Sequence, residues 1–126
     1  MKNCTIVHKT GLSAVILPEK GATVISLQRD GREFLYCDRD NLNSLERPRC
    51  GIPFLFPIFG RLKDGIYRLD GKEYAMAIHG FGHTSSWQIV EHTDDTLQLV
   101  LEDSEATRAQ YPFRFRVTLT YLVSED

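Results

Sequence analysis

Residues 49–62 read RCGIPFLFPIFGRL and residues 77–87 read AIHGFGHTSSW, with a short hairpin between them. The first stretch decides the fold class. Its apolar density suits a buried helix or a buried strand. Pro53 and Pro57 argue against the helix, because each lacks an N–H and its ring clashes with the preceding turn. They also press Ile52 and Phe56 toward extended backbone. A regular central strand does not accept two prolines either. The spacing therefore predicts a buried, kinked, extended strap with few ladder hydrogen bonds. Packing and side chains must hold it, and it delivers Arg61 at its polar exit. Read alone, Arg61 is equally a plain surface charge.

In the second stretch, His79 stands where a strand-like pattern ends. Gly80 and Gly82 let the backbone turn sharply or a ligand approach closely, and binding groups are common at such junctions. His79 also reads as a core histidine bonded to backbone. His83 reads as a surface histidine.

Outward from these stretches, the chain reads as strand after strand. Segments 4–9, 13–17 and 23–29 come first, the last with Val24 and Ser26 on one face and Ile25 and Leu27 on the other. Asp30-Gly31 is a type I′ hairpin signal, and 33–36 is the expected return strand. Asp70-Gly71 marks a second tight hairpin between 66–69 and 73–77, with Tyr67 and Tyr74 placed to stack across it. Segment 87–92 is a strand. Segment 96–102 places Leu97, Leu99 and Leu101 on one face, and 103–110 reads as a polar loop. Phe113, Phe115, Val117, Leu119 and Tyr121 then alternate with Arg114, Arg116, Thr118 and Thr120, the clearest half-buried strand in the chain. No segment sustains a helical period. Repeated hairpins of this kind predict an all-β sandwich or barrel. The polar stretch 38–49, with Arg39, Arg47 and Arg49, reads as a loop that either serves a binding surface or covers one end of the sheets; a plain surface loop accounts for most of its residues.

Composition narrows the function classes. At 126 residues the chain is one domain, 1–126, large enough for a real core. A net charge of −2 without a basic stripe argues against nucleic acid. No apolar run approaches the ~20 residues of a membrane span. The opening MKNCTIVHKTG shows no apolar signal region, so a cytoplasmic location is expected. Cys4, Cys37 and Cys50 lack metal-ligand spacing and read as buried reduced thiols. No cofactor motif and no metal set is visible.

The combination Gly51-x-Pro53-x-Leu55-Phe56-Pro57-x-x-Gly60-Arg61, then Tyr67-x-x-x-Gly71-x-x-Tyr74-x-Met76, then His79-Gly80-Phe81 ahead of Trp87, resembles the aldose 1-epimerase (galactose mutarotase-like) superfamily. It is most similar to the bacterial sugar epimerase-like branch. Tyr111-Pro112-Phe113 ahead of an alternating strand fits the same resemblance. Cys50 stands where the family often has glycine. The resemblance runs along essentially the whole chain but covers only the N-terminal part of the family's domain. It implies an antiparallel, supersandwich-like β-sandwich, incomplete relative to the family, and a sugar or sugar phosphate as ligand.

Anomer exchange opens an aldose ring and closes it on the other face. One group must protonate the ring oxygen while another removes the proton of the C1 hydroxyl, work suited to a histidine and a carboxylate. By resemblance, Arg61 and His79 contact the sugar. Phe81 and Trp87 are the aromatic candidates for its apolar face. The second histidine and the glutamate base of the family have no counterpart here by motif, so no catalytic residue is assigned, and whether the chain is an enzyme stays open. A non-catalytic carbohydrate-binding module is the alternative. A metal site at His79, His83 and Glu91 is disfavoured, because His-x-x-x-His suits a helix better than a turn. A sheet cut short exposes edges and an apolar face. The chain is therefore expected either to pair with a second copy as a homodimer or to belong to a longer product.

Overall fold

The computed structural model describes residues 2–42 and 49–125; Arg47 lies outside the described residues. The fold is all-β and antiparallel. Strands β1 (Cys4–Val7), β2 (Ser13–Leu17), β3 (Thr23–Arg29) and β4 (Arg32–Glu33) form one sheet in sequence order. Strands β5 (Ile66–Leu69) and β6 (Lys72–Ala75) form a separate hairpin. Strands β7 (Gln88–His92), β8 (Thr96–Glu102) and β9 (Arg116–Leu122) form a meander. Both Asp-Gly turns take the expected shape: Asp30 and Gly31 have φ of 53° and 77°, Asp70 and Gly71 50° and 77°. Tyr67 pairs with Tyr74 across the second hairpin, with their rings stacked at 5.3 Å.

The first sheet and the meander face each other across one core. Ile6, Ile16 and Val24 from the first meet Leu97, Leu99 and Leu101 from the second, with Phe81 and Trp87 among them. A smaller cluster of Leu17, Ile25, Leu42 and Cys50 covers the outer face of the first sheet. That sheet is thus buried on both faces near its centre, which explains why β3 is apolar nearly throughout its first half.

Four expectations need correction. Strict alternation in β3 fails, because the register with β2 shifts between Val15 and Ile16, leaving Ile25 as an extra residue. After such a bulge the faces exchange, so Val24 and Leu27 join the same core while Ile25 packs on the other side. The return strand shrinks to two residues because the Glu33 carboxylate takes the place of a ladder. It accepts from Ser26 Oγ (2.5 Å) and from the backbone N–H groups of Leu27, Phe34 and Leu35 (2.9, 3.0 and 3.1 Å). The supposed polar loop 103–110 holds a helix, α1 (Glu105–Gln110), with Ser104 and Thr107 exchanging capping-box hydrogen bonds. Six residues are too few to show a period. Finally, Cys37 and Cys50 are disulfide-bonded, and Cys4 alone is a buried free thiol. The two half-cystines face each other between the flanking hydrogen bonds Gly51 N–H to Tyr36 O and Asp38 N–H to Arg49 O. This is the non-hydrogen-bonded position of an antiparallel pair, where side chains are closest.

Candidate functional site

The strap of residues 51–62 is extended and irregular, as its prolines require. Its backbone pairs through isolated bridges, while Phe54, Phe56, Ile58 and Leu62 pack on the core: Ile52 exchanges both backbone hydrogen bonds with Val24, and Phe56 pairs with Gly80. The Phe56–Pro57 peptide is cis. The Phe56 carbonyl accepts from the N–H groups of both Phe81 and Gly82, each at 2.9 Å.

Glycines allow this close approach. At Gly80 (φ 73°) a Cβ would lie 2.4 Å from Phe56 O, and at Gly51 (φ 50°) only 1.7 Å from Val24 O. Strap and histidine loop are therefore in direct backbone contact.

His79 is held from two sides. Its own φ is 68°, a left-handed conformation that costs a non-glycine residue about 1–2 kcal/mol. Its N–H donates to Gly60 O at 2.9 Å, and its Nδ1 lies 2.5 Å from Phe59 O. A carbonyl can only accept, so Nδ1 carries the hydrogen. In the neutral ring Nε2 is then the basic atom. The His83 ring stands edge-on to His79 at 5.8 Å.

Both histidines line a cavity of about 500 Å³ beside the strap, together with Tyr36, Arg49, Thr23 and Leu55. Tyr36 and Arg49 come from the two arms joined by the Cys37–Cys50 bridge. The cavity thus combines an imidazole pair, a guanidinium and a phenol with apolar walls. Such a set can donate to and accept from several hydroxyls, or hold an anion. Among the described lining residues there is no carboxylate.

Of the four residues expected to contact a sugar, Arg61, His79, Phe81 and Trp87, only His79 lines this cavity. Arg61 is exposed and follows Gly60, whose carbonyl holds His79, so its backbone is anchored beside the histidine while its side chain stands in solvent. Phe81 (6% exposed) and Trp87 (3%) lie in the core, not on the cavity wall. Phe81 packs on Phe56 and Phe115; Trp87 meets Phe54 edge-on and donates Nε1–H to Gly82 O at 2.9 Å. They hold the loop from the core side, while the space beside Gly80 and Gly82 is taken by Phe54, Phe56 and Pro57 of the strap. His83, read as a surface residue, is instead 5% exposed. Gly21, at φ 71°, lets the chain pass against the His83 carbonyl, which a Cβ would meet at 2.1 Å. Tyr36 was missed, and Arg49 was read only as one of the arginines of a loop that either serves a binding surface or covers the sheets. The one signal at Tyr36 was its position immediately before a cysteine.

The comparisons with known proteins place this antiparallel sandwich, with its proline strap clamped to a His-Gly loop, in a family. The aldose 1-epimerase family model matches residues 2–126, and the chain belongs to that family. Among solved structures, it is similar to the galactose mutarotase related enzyme from Lactobacillus acidophilus, with 30% identity and a TM-score of 0.84 over 98% of this chain and 39% of that one. The Slr1438 protein from Synechocystis sp. PCC 6803 superposes with a TM-score of 0.92 at 27% identity, over 98% of this chain and 44% of that one. A galactose mutarotase-like protein from Lactobacillus casei ATCC 334 gives 25% identity and 0.86, over 98% and 40%. The chain thus spans about two fifths of the length of these structures. No curated protein matches it. No helix among the described residues is long and apolar enough to cross a membrane.

Proposed function

We propose that the chain binds an aldose or aldose phosphate in the His79–His83 cavity, and supplies the sugar-contacting half of an aldose 1-epimerase site without a complete catalytic pair. The observation that carries this reading is the make-up of the cavity wall: two histidines, Arg49 and Tyr36 converge on it, and no described carboxylate does. His79 hydrogen-bonds the sugar through Nε2, its ring oriented by the Phe59 carbonyl. Arg61 reaches the sugar from the rim. Arg49 and Tyr36 hold peripheral oxygens, and a phosphate when there is one. Phe81 and Trp87 act from below, by keeping the loop in place.

The same lack of a carboxylate favours the second reading, a non-catalytic carbohydrate-binding module. Anomer exchange separates the two. It is measured by magnetisation-transfer NMR on residues 1–126 with glucose, galactose and their 6-phosphates. The expected result is saturable sugar binding, lost in His79→Ala, with no acceleration of exchange. Acceleration that disappears in His79→Ala overturns the half-site reading and requires a base among the chain's own carboxylates. Absence of binding by the folded chain overturns the sugar reading altogether. A cytoplasmic location belongs to this reading, although the Cys37–Cys50 bridge pulls against it, since disulfides persist mainly in oxidising compartments; thiol labelling of protein taken from its native cells decides the matter.

A further inference from the structure

Two arms of unequal footing build one side of the cavity. The arm of residues 49–52 is fixed to the first sheet. Ile52 exchanges backbone hydrogen bonds with Val24, and Gly51 lies so close to Val24 O that a Cβ has no room. The arm of residues 36–38 has no such anchor. Leu35 still packs on the core, so the free length begins at Tyr36. From there, the backbone hydrogen bonds to distant described residues are two, Gly51 N–H to Tyr36 O at 2.7 Å and Asp38 N–H to Arg49 O at 3.3 Å. Both run to the first arm. The Cys37–Cys50 bridge is the covalent tie between the two.

That tie is placed to be made and broken. Cys37 is half-buried, so an incoming thiolate can reach its sulfur, while Cys50 is 7% exposed and lines the cavity. Cys4, the remaining cysteine, is sealed in the core and takes no part.

We propose that Cys37 and Cys50 form a reversible thiol–disulfide site, which fastens Tyr36 to the wall of the His79–His83 cavity when oxidised and releases it when reduced. The reductant is a dithiol. Its thiolate attacks the Cys37 sulfur, the Cys37–Cys50 bond breaks, and Cys50 leaves as a thiolate that takes up a proton. The second thiol of the reductant then attacks the mixed disulfide. Cys37 leaves as a thiol and the reductant leaves as its own disulfide, so two electrons and two protons have passed to the chain. Reduction loosens one arm only, because the contacts of Gly51 and Ile52 with Val24 do not pass through the bridge. Tyr36 is left with hydrogen bonds on an irregular segment, which open readily without a covalent link. A ligand that uses the Tyr36 wall therefore prefers the oxidised chain, and by reciprocity it holds the bridge closed. The ligand consequence rests on the sugar reading; the release of the arm does not.

Amide hydrogen exchange on the oxidised chain and on the chain after dithiothreitol tests this, with glucose 6-phosphate titrated into both. The Gly51 amide reports the tie, since it donates to Tyr36 O, and the Ile52 amide reports the anchor, since it donates to Val24 O. Gly51 is expected to exchange about tenfold faster or more after reduction, with Ile52 unchanged. Glucose 6-phosphate is expected to bind the reduced chain about tenfold more weakly, which lowers the reduction potential of the bridge by about 30 mV at saturating sugar. Cys37→Ser behaves as the reduced chain with or without dithiothreitol. Gly51 exchange that is the same in both states overturns the inference. So does loss of Ile52 protection together with Gly51, which means that the whole strap loosens, or a Cys37→Ser variant that keeps Gly51 protected. Equal sugar affinity in the two states overturns it as well. Sugar that binds neither form, with the Gly51 response intact, sinks the sugar reading and leaves the thiol–disulfide site standing.

Discussion

The meander of residues 88–122 and the strap-and-loop of residues 51–62 and 78–87 are held by different means. In the meander, each strand is bonded along its length to its neighbour, with seven consecutive pairs between β8 and β9. Its apolar residues alternate, and its geometry is repeated from residue to residue. In the strap, backbone bonds are confined to separate points, at Gly51, Ile52, Phe56 and Gly60, with no continuous ladder, and the chain is fixed by how closely it can approach other segments. The meander spreads its stability over many equivalent contacts. The strap concentrates it in a few glycine contacts and buried rings, and that concentration is what places His79 beside a cavity. A repetitive region tolerates loss of one contact; a clamped region does not.

The sharpest way to break this contrast is to put the same methyl group in a clamped and an unclamped glycine. Gly51 and Gly71 both have positive φ, but a Cβ at Gly51 meets Val24 O at 1.7 Å, while at Gly71 nothing lies within 4 Å. Gly51→Ala is expected to cost more than about 4 kcal/mol in urea unfolding, and Gly71→Ala only about 1–2 kcal/mol from its backbone conformation. Equal losses would mean the strap is not clamped at Val24.

Glu33 is the intermediate case, a side chain doing the work of a ladder. Burial raises its carboxyl pKa, but the hydrogen bonds from Ser26, Leu27, Leu35 and Gln28 outweigh it and bring the pKa down to about 2. A carboxylate whose folded pKa is depressed contributes stability that is complete above its unfolded pKa of about 4.3 and is lost as pH falls toward about 2. Glu33→Gln should therefore lose about 1 kcal/mol at neutral pH, discounted for solvent exposure, and flatten the stability profile across that acid window. A wild-type profile already flat between those limits would remove Glu33 from the account.

The smallest expected effect tests a hairpin that is regular within itself but anchored at one point. Tyr67 donates its hydroxyl to Gln110 O at 2.6 Å, tying β5–β6 to the end of α1. Tyr67→Phe keeps the ring stack with Tyr74 and should cost about 0.5–1.5 kcal/mol. A larger loss would show that the hairpin depends on that anchor rather than on its own ladder.

Where the physics is local, the sequence was legible. Strands β2, β3, β5 and β8 have the limits expected of them, β9 begins at Arg116 although its alternation starts at Phe113, and both Asp-Gly turns take left-handed φ at both central positions. The two prolines correctly predicted an extended strap rather than a helix. The bulge at Ile25 escaped notice because either face of β3 finds an apolar cluster, so its sequence carries no break in pattern. Of the residues lining the cavity, His79 stood out in the sequence because Gly80 and Gly82 follow it. His83 could not, because its burial depends on Gly21, sixty-two residues earlier, passing against its carbonyl.

The motifs carried the resemblance to the aldose 1-epimerase family; the sequence by itself determined an all-β chain, its hairpins, an extended proline strap and a turn at the histidine that two glycines follow. These follow from side-chain alternation, from the fixed φ of proline and from the freedom of glycine, all properties of a residue and its near neighbours. Only the tertiary structure decided that Phe81 and Trp87 brace the loop from the core, that Cys37 meets Cys50, and that Tyr36, Arg49 and His83 share a wall with His79. Those depend on which distant segments come within contact distance, and no local pattern encodes that.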